Sequence, residues 1–318
     1  MAPVVGLEPL RTGVLALAAA VLLLALFIVL VRSVALISRW RVSRREAALT
    51  RLVYRVLQNP TNIPPEFGRL GRFDRKLVRS ILLGLALDLR GETGDAIAML
   101  YRRLGFLKRD LARLNSWSAA KRAGAVADLG LIHIADAVPA LLHALSDSDT
   151  RVRQAAVWAV GQVGSPTSLA SLVRLLGDPS LTVSHRAQEV LAERGREVVD
   201  PIINYAASTA SRAGRLAAIQ LIGWLRITTA GHLLLGFMTD MDPEVRVKTV
   251  KAAAAIGDPS FLQTFHTGLK DSSWPVRCQA AKGLSLIGSP ESVEPLSTAL
   301  RDDQWWVRFY AATALAEL

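Results

Sequence analysis

Five histidines (His133, His143, His185, His232 and His266), the single cysteine Cys278, and the acid pairs Asp147 with Asp149 and Asp302 with Asp303 are the side chains best suited to proton transfer, nucleophilic attack or metal ligation. Metal binding needs ligands at spacings that a helix face or a turn can bring together, and acid–base catalysis needs a base within hydrogen-bond reach of its proton. No two histidines stand at metal-ligand spacing with the cysteine or a carboxylate. Glycine-rich phosphate loops, an HExxH helix and a nucleophile elbow are all absent from the sequence. The paired acids fall in turns, where capping explains them better than catalysis does. The sequence therefore predicts no catalytic residue, no cofactor and no metal, and the chain is expected not to be an enzyme.

What does recur at fixed spacing is arginine. A constant step of thirty-one lands on Arg122, Arg153, Ser184, Arg215, Arg246, Arg277 and Arg308 without an insertion. Three residues after each stand Ala125, Ala156, Ala187, Ala218, Thr249, Ala280 and Ala311, and Val152, Val183, Val245, Val276 and Val307 precede five of them. Apolar residues at offsets of three and four form one stripe on a helix, and small residues in that stripe admit a close neighbour. Eleven residues after the arginine position come Gly164, Gly195, Gly257 and Gly288, with His133 and Arg226 as exceptions; two residues further, Pro166, Pro259 and Pro290 suit the first turn of a second helix. Six residues before it lie Asp147, Asp178, Asp240, Asp271 and Asp302, replaced by Ser116 and Thr209 elsewhere. One helix pair cannot bury its apolar face alone, so the pairs must stack into a continuous core.

This pattern of turn aspartate, Val-Arg pair and helix-ending glycine resembles the HEAT repeat family, in particular its short bacterial form, also found in phycobilin lyase subunits. The resemblance covers Ser116 to Leu318 and implies an all-α, right-handed α-solenoid of helix pairs with period 31. It also implies that Asp and Arg link successive turns in a structural ladder, which is carried over here to Asp147 with Arg153, Asp240 with Arg246, Asp271 with Arg277 and Asp302 with Arg308. Ser184 and Thr209 break the pattern in the third and fourth repeats, where stacking is expected to differ. Arginines in register with aspartates favour such a ladder over a phosphate-binding stripe.

Residues 13–31 form a run of nineteen uncharged, mostly apolar residues, which as a helix would span about 28 Å, close to the hydrocarbon thickness of a bilayer. Arg32, Arg39, Arg41, Arg44, Arg45, Arg51 and Arg55 follow it, whereas Glu8 and Arg11 alone precede it. The sequence thus predicts a single-pass transmembrane helix over 13–31, with residues 1–12 outside and the repeats in the cytoplasm of a bacterial-type cell, at the inner membrane. Residues 32–115 carry 18 Lys plus Arg against 7 Asp plus Glu, while residues 116–318 carry 19 against 19. The excess of the net +11 charge lies beside the expected membrane, which suits anionic lipid headgroups and argues against a solenoid wrapped on nucleic acid. Within 32–115, QNPTNIPPEFG reads as a loop and residues 72–114 as two or three helices broken near Arg90 and Gly105, forming a basic cap region ahead of the repeats at 116–318.

With chemistry absent, surface remains. Trp274 and Trp305 stand at the same place in consecutive repeats, and Trp306, Phe309 and Tyr310 adjoin the second. The last repeat shows one helix of its pair, so Val307, Ala311, Ala314, Leu315 and Leu318 would lack cover, and the aromatics are candidates for binding a protein partner or a second copy. The expected function is a membrane-anchored protein-interaction platform whose partner is a membrane or membrane-associated protein. The alternatives are an accessory or regulatory subunit of a membrane enzyme, such as a glycosyltransferase, and a lyase-type subunit.

Overall fold

A computed structural model describes residues 7–60 and 62–318 of the chain; within these, the side chains at 7–12, 14–16, 18–21, 34–35, 37–38 and 166 are not described. Among the described residues every regular element is helical. The chain divides into two compact units, residues 1–104 and 105–318.

The first unit contains α1 (Leu7–Gln58), α2 (Arg72–Asp88) and α3 (Glu92–Arg103). The apolar run is thus the first part of a single 52-residue helix that continues through the arginine-rich stretch. Its distal part contributes Leu49, Val53 and Val56 to a small core with Val78, Leu82 and Ala86 of α2 and Ile97, Leu100 and Tyr101 of α3. Arg45 clamps Asp74 through two hydrogen bonds of 2.9 and 2.6 Å, tying α1 to the first turn of α2. Prolines at 60, 64 and 65 keep 59–71 out of a long helix, apart from a 3-10 turn at Pro65–Arg69. The breaks at 89–91 and 104–105 fall where the sequence predicts them, with Gly91 and Gly105 at positive φ. Among the described residues no helix is long and apolar enough to cross a membrane. The expected span at 13–31 includes residues 14–16 and 18–21, whose side chains lie outside that description.

The second unit opens with α4 (Phe106–Leu114) and continues as alternating long and short helices: α5 (Ala119–Ile132), α6 (Val138–Ala144), α7 (Thr150–Val163), α8 (Pro166–Leu172), α9 (Leu181–Arg194), α10 (Val199–Ser208), α11 (Arg212–Trp224), α12 (Gly231–Phe237), α13 (Pro243–Ile256), α14 (Leu262–Gly268), α15 (Trp274–Ile287), α16 (Val293–Ala299) and α17 (Trp305–Glu317). The odd-numbered helices from α5 to α17 carry the arginine register, and each packs on the next one. Repeat one opens at Ser116, and each later repeat opens one full period further along. The core is built as the pattern predicts: Ala125, Ala156, Ala187, Ala218, Ala280 and Ala311 are fully buried, as are Leu129, Leu191, Ile222 and Leu284. Close approach depends on small residues. A Cβ on Gly130 would strike Ala159, and one on Gly223 would strike Ala252 in the following helix.

Helices α7, α13 and α15 end by passing into the left-handed region at the predicted glycine, with φ of 68° at Gly164, 70° at Gly257 and 65° at Gly288, while Gly195 after α9 takes φ of 55° with ψ of −117°. His133 and Arg226 adopt φ of 56° and 49° at the same station. The fold imposes the conformation whether or not glycine is there to accept it easily.

Candidate interaction surface and the ladder that shapes it

The register arginines do not reach the aspartate of their own repeat through its carboxylate, as the pairing of Asp147 with Arg153 supposes. Arg153 forks onto Asp178, in the turn that opens the next repeat, with Nε and Nη2 donating to the two carboxylate oxygens at 2.8 and 2.9 Å. Its Nη1 donates to the backbone carbonyls of Asp147 and Ser148, at 2.9 and 3.2 Å. Arg122 with Asp147, Arg246 with Asp271 and Arg277 with Asp302 repeat this fork. Arg308 donates Nη1 to the Asp302 and Asp303 carbonyls. The cause is geometric. An arginine at the start of one odd helix stands beside the turn that begins the next repeat, while the turn six residues behind it offers only main chain. The aspartate also accepts the N–H two residues on, as Asp147 does from Asp149 and Asp271 from Ser273, each at 2.8 Å. One carboxylate therefore closes its own turn and anchors the previous helix.

These pairs are half-buried, with side-chain exposures of 13% and 4% for Arg153 and Asp178. The hydrogen bond from Arg122 holds the Asp147 carboxyl below the ordinary carboxylate range. At Asp271 and Asp302 burial pushes upward, but the arginine forks and turn N–H groups outweigh it and the net shift is downward. The guanidinium groups of Arg122, Arg153, Arg246 and Arg277 are committed to this structural ladder.

The two exceptions prove to be one. Ser184 stands where a ladder arginine belongs and Thr209 where its aspartate belongs, at the same separation as Arg153 from Asp178, so both halves of a single rung are missing together. Ser184 turns its hydroxyl onto the Leu176 carbonyl at 2.8 Å, and Thr209 accepts the Ser211 N–H at 3.1 Å. The Tyr205 hydroxyl lies against Gly177 and Gly214, where a Cβ at either position would collide with it. At the next rung Arg215 makes one carboxylate contact, to Asp240 at 3.1 Å, and its buried Nε lacks a hydrogen-bond partner. Tyr205, Gly177 and Gly214 were invisible as a group in the sequence. The spacing of Ser184 from Thr209 was the available signal.

The candidate aromatics divide. Trp305, Trp306, Phe309 and Tyr310 form one cluster on α17, with Trp305 stacked on Phe309 at 5.3 Å and Trp306 on Tyr310 at 6.2 Å between ring centroids. Trp305, Trp306 and Phe309 remain about half exposed, while Val307, Ala311 and Ala314 on the opposite side of the helix are buried. Trp274 is also exposed, but no ring contact joins it to the cluster among the described residues. Lys282 extends from α15 to place Nζ 3.9 Å from the Tyr310 ring centre.

Of the groups that could do chemistry, Cys278 is buried and its thiol is pushed up by that burial. His133 donates Nδ1–H locally to the Leu131 carbonyl at 2.6 Å, and His266 lies 3.4 Å from the Ser292 hydroxyl. Among the described residues no group of three or more His, Cys, Asp or Glu could hold a metal ion.

An all-helical stack of paired helices, linked turn to turn by Arg–Asp forks, defines a HEAT-type α-solenoid. The HEAT repeats family model matches residues 111–192 and 262–318. Among solved structures the chain is similar to Kap121p, with 16% identity and a TM-score of 0.52 over 86% of this chain and 35% of that one. It is similar to importin beta, with 15% identity and a TM-score of 0.52 over 85% of this chain and 48% of that one. It thus spans about a third and a half of those two proteins, and at such identity the likeness shows the fold alone. The complex of CpcE and CpcF of phycocyanin lyase from Nostoc sp. PCC7120 matches 66% of this chain and 87% of that one at 21% identity, with a TM-score of 0.32. No curated protein matches the sequence.

Proposed function

We propose that this chain is a membrane-anchored platform on which a HEAT-repeat solenoid binds a protein partner, and that it is not itself an enzyme. The observation that carries this reading is the aromatic cluster of α17, because several large apolar rings are left half exposed on a helix whose other side is well buried. The Arg–Asp ladder supports it by fixing successive helices at a constant step, which suits an extended rigid surface. For the anchor, the supporting features are the uncharged run at 13–31, the arginines that follow it, and the side chains from Leu22 to Val31, which are 46–71% exposed wherever they are large and apolar. A long helical stretch whose described apolar side chains are exposed on every side fits lipid as its surroundings. The reading places the protein in the inner membrane with its N-terminus outside, its repeats in the cytoplasm, and the basic stretch of α1 near anionic headgroups.

The test is capture of a partner from detergent-solubilised membranes by the full chain, compared with Trp306→Ala combined with Phe309→Ala. The double variant should show partner capture, or self-association, weakened about fivefold or more at unchanged helix content. Full capture by that variant, or its unfolding, would place the aromatics in the core and remove the cluster from this role. Protease added to intact spheroplasts should leave the repeats uncut.

A further inference from the structure

The charge balance of the repeats, 19 basic against 19 acidic residues, conceals a sorting. Across α11, α13, α15 and α17 the acids are Glu244, in the first turn of α13, and Glu317, in the last turn of α17. Both are engaged, Glu244 by Arg212 at 2.5 Å and Glu317 by the Ser285 hydroxyl. The other acids of these repeats lie in the turns, where they hold the ladder, and around the short helices. Arg215, Arg246 and Arg277 are drawn into that ladder. Lys248, Lys251 and Lys282 are not: none forms an ion pair among the described residues.

The three lysines share one face. Lys251 and Lys282 occupy the same station in consecutive repeats, five residues beyond the register arginine, and Lys248 lies one turn before Lys251. Lys248 reaches back to α11, donating to the Gln220 side-chain oxygen at 2.8 Å, while Lys282 reaches forward over Tyr310. Between Gln220, Trp224, Lys248 and Lys251 is a cleft of about 50 Å³. Trp224 is 58% exposed at that end, and Trp306 is 49% exposed at the other. The face is therefore cationic in its middle and aromatic at both ends.

We propose that this face of α11, α13, α15 and α17 docks an extended acidic segment of a partner protein, with an apolar or aromatic side chain at each end of that segment. Charge complementarity selects the occupant: three cations without local counter-ions, held between exposed indoles, match carboxylates flanked by apolar anchors. Packed helices lie about 8–10 Å apart, so Lys251 and Lys282 repeat at that step, and an extended chain in the polyproline II conformation, with three residues per turn and a rise of about 3.1 Å per residue, meets them with every third side chain. A phosphate-bearing polymer is disfavoured by the small number of cations and by their confinement to one short stretch. The proposal rests on the reading of the repeats as a protein-binding platform and names the chemistry of the partner.

The experiment uses the full chain in detergent and a fluorescein-labelled peptide of about ten residues, tryptophan at each end and glutamate at every third position between. Binding should weaken at least about tenfold in Lys251→Glu combined with Lys282→Glu, and by about tenfold when the peptide's glutamates are replaced by glutamine. Lys251 is exposed and Lys282 half-buried, and an unchanged circular dichroism melting curve checks that the variant folds. Trp224→Ala serves as a second variant and should weaken binding about threefold or more. Equal binding of the charge-reversed chain, or tighter binding of a single-stranded oligonucleotide of equal charge, overturns the proposal. If the peptide fails to bind while the Trp306→Ala, Phe309→Ala variant still loses membrane-partner capture, the acidic-segment assignment falls and the platform reading stands.

Discussion

The junction between repeats five and six and the junction between repeats three and four share one repeat plan and are held by different means. At the first, Arg246 forks onto Asp271, the turn carboxylate also accepts the Ser273 N–H, and α13 packs closely along α15. At the second, neither charge is present, Tyr205 fills space beside Gly177 and Gly214, and α9 approaches α11 at fewer points than any other successive pair of long helices. The 3-10 turn at Val173–Gly177 packs against both α9 and α11 instead. At three other junctions a glycine meets the next long helix, Gly130 at Ala159, Gly161 at Val190 and Gly223 at Ala252. A half-buried ion pair can be omitted at modest cost only when both partners go together, because either alone would be an uncompensated charge. Side-chain volume replaces it here, and volume fixes orientation less tightly than a bidentate fork does.

The largest effect follows from breaking one half of a full rung. Asp271→Ala strands the Arg246 guanidinium and removes the acceptor of the Ser273 N–H, and should destabilise the second unit by about 3 kcal/mol. Thr209→Ala, at the corresponding turn of the rungless junction, removes one hydroxyl acceptor and should cost about 1 kcal/mol. Urea unfolding of the full chain in detergent reads both. Similar losses would mean that the rung contributes no more than the threonine turn does.

A second test moves the rung to where it is missing. Ser184→Arg alone places a charge in a buried position that lacks a carboxylate and should cost about 2–3 kcal/mol. Adding Thr209→Asp should recover at least about 1 kcal/mol, measured as the coupling in a double-mutant cycle. Additive losses would show that Tyr205 occupies the path the arginine needs.

The ladder also sets a pH dependence. Asp147, Asp271 and Asp302 have folded pKa values below the ordinary carboxylate value, so their stabilisation is present above about pH 4 and is lost as pH falls through the folded values. The unfolding midpoint should be flat from about pH 8 to pH 5 and decline below about pH 4. In Asp271→Ala that decline should be shallower. An identical acid slope in the variant would place the titrating groups outside the ladder.

Much of this was legible in the sequence because the repeat is written in residue types with strict geometric meaning. The glycines of the helix ends, the buried alanines and the breaks near Arg90 and Gly105 all follow from local rules. The ladder partner did not, since the turn just behind each arginine and the turn that opens the next repeat are equally conspicuous in the sequence and only the stacking decides between them. The extent of α1 was missed for a related reason: the stretch after the apolar run is rich in arginine, which is a good helix former, but no amphipathic stripe announces it until Leu49, Val53 and Val56 reach a core. The spacing of Trp305, Trp306, Phe309 and Tyr310 places them on one helix, where their rings meet. Trp274 was included by register, and register alone does not bring rings into contact.

The smallest expected effect concerns the helix ends, where the regular repeats and the exceptions differ by a single residue type. Gly164, Gly257 and Gly288 take the left-handed conformation without a Cβ penalty, whereas Arg226 holds φ of 49° at the end of α11. A non-glycine residue there carries a cost of about 1 kcal/mol, which glycine relieves, partly offset by the greater freedom glycine has when unfolded. Arg226→Gly should therefore raise stability by about 0.5–1 kcal/mol, and His133→Gly, where φ is 56°, should do the same in repeat one unless the loss of the His133 contact with the Leu131 carbonyl cancels it. Because Arg226 lies in repeat four, the gain should slow local hydrogen exchange around α11 more than around α15. If Arg226→Gly destabilises the chain, the arginine side chain supports the rungless junction directly, and the residue that looked like a departure from the repeat would be one of its compensations.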